Sequence, residues 1–126
     1  MPKLVVATAN APAAVGPYSQ AVGGEGLLFC SGQIALDPGT GELVQGSVAD
    51  ETRRCMSNLA AVLDAGGSSL VHVVKVTAYL TDMADFAEFN DAYAESFGDE
   101  PPARATGGVA ALPKGARVEV ECVARI

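Results

Sequence analysis

Arg104 is the residue around which chemistry can be built. It opens a short extended stretch, Pro102-Ala103-Arg104-Ala105-Thr106. The prolines before it stop the preceding helix and hold the backbone extended. Beyond it the residues are small: Ala105, Thr106, Gly107, Gly108, Ala110 and Ala111. A fork-shaped cation with few side chains around it suits a planar anion such as a carboxylate. The same arginine would also serve a surface ion pair at a strand end. Four other places carry polar groups where their surroundings do not call for them: Tyr18, Ser31-Gly32, Asn90 and Glu119.

The rest of the chain excludes several chemistries. There is one histidine, His72, and three widely spaced cysteines, Cys30, Cys55 and Cys122, so metal-ligand spacing is absent and no metal is expected. No nucleophile elbow surrounds any serine. Gly39-Thr40-Gly41 is followed by Glu42 rather than by lysine and a helix, and Gly23-Gly24-Glu25-Gly26 lacks the dinucleotide fingerprint. No cofactor is expected. With 15 acids against 8 bases the formal net charge is −7, which leaves no means of gripping a phosphate backbone or an anionic bilayer. Nucleic acid and membrane are therefore not expected partners. The cysteines sit in apolar contexts and read as reduced, buried hydrophobes, which fits the cytoplasm. Neither a signal peptide nor a membrane span fits the start, Met1 to Ala7.

At 126 residues the size predicts one domain over 1–126. Apolar residues make up 49% of the chain, rich enough that some surface is expected to be covered by other subunits. Strands are expected at Leu4 to Ala7, Tyr18 to Val22 and Leu27 to Ala35. The third passes from apolar residues into Ser31-Gly32, where either a bulge or an accessible backbone would result. Ser47 with Asp50 forms a capping box for a helix from Val48 to Ala65, with Cys55, Leu59, Val62 and Leu63 on one stripe and Asn58 off it. Gly66-Gly67 ends it. Val71 to Leu80 reads as a strand with His72 at its edge. Asp82 starts a second helix that runs to Phe97, with Phe86, Phe89, Tyr93 and Phe97 as its core stripe and Asn90 at the stripe's border. The last strands, Ala103 to Ala111 and Arg117 to Ile126, are expected to form a hairpin about Pro113. The order β-β-β-α-β-α-β-β gives an α+β, two-layer domain with both helices on one face of a mixed sheet.

In such a hairpin Arg104 would lie opposite residues 122 to 124. Glu119 would then be about four residues away, roughly 13 Å at ~3.3 Å per residue. One chain would struggle to bring both to a small molecule, so a site using the two is easier to build between subunits.

Seven segments together resemble the reactive intermediate deaminase family, also called Rid or YjgF. They are Asn10-Ala-Pro, Gly16-Pro17-Tyr18-Ser19-Gln20-Ala21, Ser31-Gly32-Gln33, Asp37-Pro-x-Thr-Gly41, Pro102-Ala103-Arg104, Leu112-Pro113-Lys114 and Val118-Glu119-Val120-Glu121. The resemblance implies a chorismate-mutase-like fold with a six-stranded sheet, assembled as a homotrimer with clefts between subunits. It also implies hydrolysis of 2-imino acids such as 2-iminobutanoate and 2-iminopropanoate to 2-oxo acids and ammonia. By the same resemblance Arg104 holds the substrate carboxylate and Glu119 orients a water, while Tyr18, Ser31, Gly32 and Asn90 line the cleft. Thr106 is counted with them, although it stands where the family often has cysteine, so any role of that thiol is absent. Gly107-Gly108 replaces bulkier residues, which bears on substrate range. Two other readings are a non-catalytic trimer that binds small carboxylates and an endoribonuclease, the latter disfavoured by the acidic balance.

Overall fold

The computed structural model describes residues 3–126; what the sequence suggested for Met1 and Pro2 lies outside them. Six strands form one mixed sheet: β1 (Leu4–Val6), β2 (Ala21–Gly24), β3 (Leu27–Gln33), β4 (Val73–Leu80), β5 (Ala103–Gly108) and β6 (Val118–Arg125). Two helices, α1 (Val48–Ala65) and α2 (Phe86–Ala94), pack together on one of its faces. The expected α+β two-layer architecture is what the chain adopts.

Local chemistry accounts for most element ends. Ser47 accepts the Asp50 amide and Asp50 accepts the Ser47 amide, closing the capping box of α1. At the other end Gly67 takes φ +80°, and the amides of Gly67 and Ser68 bond the carbonyls of Asp64 and Leu63, a Schellman ending. The β2–β3 turn tightens to Glu25-Gly26, both at positive φ, so Gly23 and Gly24 belong to β2. Tyr18 and Ser19, expected at the start of that strand, lie before it in the loop. Leu70–His72 forms a 3₁₀ turn, so β4 begins later than expected and His72 is an exposed turn residue whose Nδ1 meets Ser69 Oγ at 3.3 Å. Asp82 does cap, but it caps a 3₁₀ turn at Met83–Asp85, and α2 is the shorter helix that follows.

The hairpin expected between the last two strands does not form. The sheet order is β1-β2-β3-β6-β4-β5, so β6 sits between β3 and β4. β5 pairs with β4 in parallel, because α2 carries the chain back to the end of the sheet where β4 began. Leu112 to Ala116 is not a hairpin loop but a connection with a 3₁₀ turn at Pro113–Gly115.

The core lies between the sheet and the helices, with Leu28, Val76, Val118 and Val120 from strands meeting Leu59, Leu63 and Phe89. Three polar residues of α1 are buried in it, and one of them, Thr52, donates back to the Val48 carbonyl within the helix. Asn58, expected off the apolar stripe, donates to the carbonyls of Ile34 and Leu36. Glu51 accepts from the Arg117 backbone at 3.0 Å and from its Nε at 2.5 Å, tying α1 to the start of β6.

Candidate active site

Register decides where Arg104 points. It pairs with Val76, which pairs in turn with Cys122, and both are buried beneath the helices. Same-row partners share a face, so Arg104 leaves the sheet on the helix side, at its β5 edge. There α2 receives it. Asn90 Oδ1 accepts from Arg104 Nη1 at 2.7 Å. The guanidinium lies 4.8 Å from the Tyr93 ring centre, 5.6 Å from Phe86 and 5.8 Å from Phe89. One edge of the fork is thus held by an amide and its plane by three aromatic faces, a cation–π arrangement. The aromatic stripe read from the sequence as core is also the seat of this cation. Asn90, at the border of that stripe, orients the arginine and lines the space beside it. A cleft of about 420 Å³ opens beside it, between the end of α2 and the Pro101-Pro102 approach to β5.

Glu119 lies elsewhere. It pairs with Tyr79, on the face that carries no helices. The two residues expected to act together therefore occupy opposite faces of one sheet. Around Glu119 a second cleft of about 520 Å³ gathers Tyr18, Ser31, Gly32, Ile34, Glu119 and Glu121. A register shift between Cys30 and Gln33 against β6 places a bulge at Ser31-Gly32. Both outcomes expected there hold, since the bulge is what brings this backbone to the cleft. Gly32 leaves room for the carboxylate: a Cβ on it would stand 2.5 Å from Glu119 Oε2 and push that side chain aside. Ser31 is tied down, its hydroxyl donating to the Ser19 carbonyl at 2.6 Å and its amide to Gln20. Tyr18 is half exposed rather than buried, and its hydroxyl accepts the Val15 amide at 3.3 Å. Glu119 is half-buried, and burial first, then the charge of Glu121, holds its carboxyl above the usual glutamate range.

Thr106 follows Arg104 on the helix side, opposite Ala78, with its hydroxyl buried and without a partner among the described residues. It lines neither cleft. Sequence reasoning missed the ring cage, whose spacing of three and four around Asn90 was visible but carried no sign of a cation. It also missed the apolar wall of the second cleft, where Val15, Ile34, Leu36 and Pro113 come from three separate segments. Among the described residues no group of three or more histidine, cysteine or acidic side chains is placed to hold a metal ion. No described helix is long and apolar enough to cross a membrane.

Residues 8–126 match the family model described as Endoribonuclease L-PSP. A RutC family protein of Pyrococcus horikoshii is 50% identical over 122 residues, covering 97% of each chain. The 2-iminobutanoate/2-iminopropanoate deaminase of Homo sapiens is 48% identical over 120 residues, which is 95% of this chain and 88% of that one. Among solved structures, E. coli TdcF with bound serine superposes with a TM-score of 0.93 at 36% identity, covering 98% of both chains. A family model over nearly the whole length and relatives at about half identity show the family. The chain belongs to the Endoribonuclease L-PSP family, the reactive intermediate deaminase (Rid/YjgF) proteins.

Proposed function

We propose that the protein hydrolyses 2-imino acids to 2-oxo acids and ammonia, in a cleft shared by neighbouring copies of a homotrimer. Arg104 carries this reading: its fork is already oriented by Asn90 and the aromatic faces, beside a cleft of ligand size. Such a group suits a planar carboxylate. The human relative's name and the serine bound by TdcF, itself a small amino acid, support the same class of ligand.

The chemistry needs little more. A protonated imine carbon is electrophilic, so positioning the acid and a water supplies most of the catalysis. Glu119 accepts one proton of the attacking water as the C–O bond forms. The proton then passes to the nitrogen, the C–N bond breaks as the new hydroxyl gives its proton back to Glu119, and ammonia leaves as the carbonyl forms. No electron is gained or lost. Arg104 and Glu119 lie on opposite faces, which supports a cleft whose Glu119 side comes from another copy. Exposed apolar side chains on the chain, Phe29 at 52% and Val15 at 79%, fit such an assembly.

The assay generates a 2-imino acid with an amino-acid dehydratase and follows release of the 2-oxo acid. Wild type accelerates release and Arg104→Ala abolishes the effect; no acceleration by wild type overturns the reading. Sharing has its own test. Arg104→Ala and Glu119→Gln, each inactive, are mixed and reassembled in equal amounts. Random association gives about a quarter of the clefts both intact groups, and that fraction of activity returns. A site complete within one chain returns none. The family's description also names an endoribonuclease; RNA cleavage that survives Arg104→Ala and repurification would favour that reading instead.

A further inference from the structure

We propose that the cleft beside α2 is the pocket for the substrate's side chain, and that it selects 2-imino acids bearing a large apolar group, branched or aromatic. This rests on the reading of Arg104 as the carboxylate anchor.

The cleft's volume of about 420 Å³ falls in the range of small-molecule sites and far exceeds what a carboxylate and its α-carbon fill. Its polar side chains are Asn90, the Arg104 fork that it holds, and Tyr93, whose hydroxyl is buried and without a partner among the described residues. The rest of the lining is Ala94, Phe97, Gly98, Pro101 and Pro102. Phe97 packs on Tyr93 with ring centres 5.0 Å apart, and the two prolines have fixed φ, so the wall is preformed. No carboxylate lines the cleft, so a cationic side chain would be desolvated there without a partner. An acidic side chain would compete with the substrate's own carboxylate for Arg104. A ligand whose acid sits on the fork and whose apolar group lies along Phe97 and the prolines satisfies both ends.

Two positions allow the pocket to be filled without disturbing the core. Ala94 is exposed at the end of α2. Gly98 has open space where a Cβ would go and no backbone conformation reserved for glycine. Ala94→Phe and Gly98→Leu are compared with wild type in two assays. Turnover is measured on imines made by an amino-acid oxidase from alanine, leucine and phenylalanine. Binding of pyruvate, 4-methyl-2-oxopentanoate and phenylpyruvate is measured by calorimetry. Wild type is expected to favour the large members in kcat/KM and in affinity. The filled variants lose about tenfold on these, with the alanine-derived imine and pyruvate changed less than about twofold. Equal losses on small and large members, or no loss, overturn the pocket while leaving Arg104-dependent deamination standing. If wild type turns over no imine, the proposed reaction fails, and the binding series still decides the pocket.

Discussion

Glu119 is a carboxylate whose ionised form its surroundings disfavour. Burial is the larger cause and the negative charge of Glu121 the second. If Glu119 takes a proton from water, the active form is the ionised one, so activity rises with pH through its elevated pKa. Glu121→Gln removes the second cause only. The acid limb of kcat/KM should move to lower pH without reaching the value of a free glutamate; an unmoved limb assigns it to another group. The same elevation has a consequence for folding. The protonated carboxyl contributes stability that is fully present below the ordinary glutamate range and lost as pH rises through the raised value. Gly32 bears on the same group. A methyl there collides with Glu119, so Gly32→Ala should lower kcat by about tenfold or more as the carboxylate is displaced. Its thermal midpoint should change little, because the position is exposed. Steady-state kinetics beside a melting curve separates the two effects.

At the scale of elements, β6 is held at its start by α1. Glu51, from the first turn of α1, accepts the backbone and guanidinium of Arg117 just before the strand begins. Glu51→Ala leaves that amide unpaired and should lower stability by roughly 1–3 kcal/mol. The loss is limited because the Arg117 side chain stays 41% exposed and keeps its water. Denaturant titration measures it. This contact also shows why some elements are readable from local residues and others are not. The capping box and the Gly67 ending of α1 are written in residues that bond within one turn, and they were legible. The burial of Glu51 and Asn58 was not, since their partners, Arg117 and the carbonyls of Ile34 and Leu36, lie far along the chain. Strand partners were hidden for the same reason. Turn-forming residues between β5 and β6 imitate a hairpin, and only the helix return of α2 dictates that β5 joins β4. The candidate site residues were suggested by the resemblance. The opposite facing of Arg104 and Glu119 needed the register, which no local pattern encodes.

For the whole molecule, the proposed division of the cleft makes assembly a condition of activity. Specific activity should fall on dilution in step with loss of the oligomer, followed together by assay and light scattering; activity that persists in a monodisperse monomer would contradict it. The strand that carries Arg104 is also the last in the sheet, with β4 on one side and, among the described residues, no strand on the other. A lone protomer therefore displays unpaired backbone donors and acceptors along β5, the kind of border onto which further chains can stack without limit. A partner seated against that border would do two jobs at once, bringing the water-handling carboxylate within reach and closing the ladder against runaway growth. Loss of quaternary structure would then show itself as clouding of the solution as well as silence in the assay.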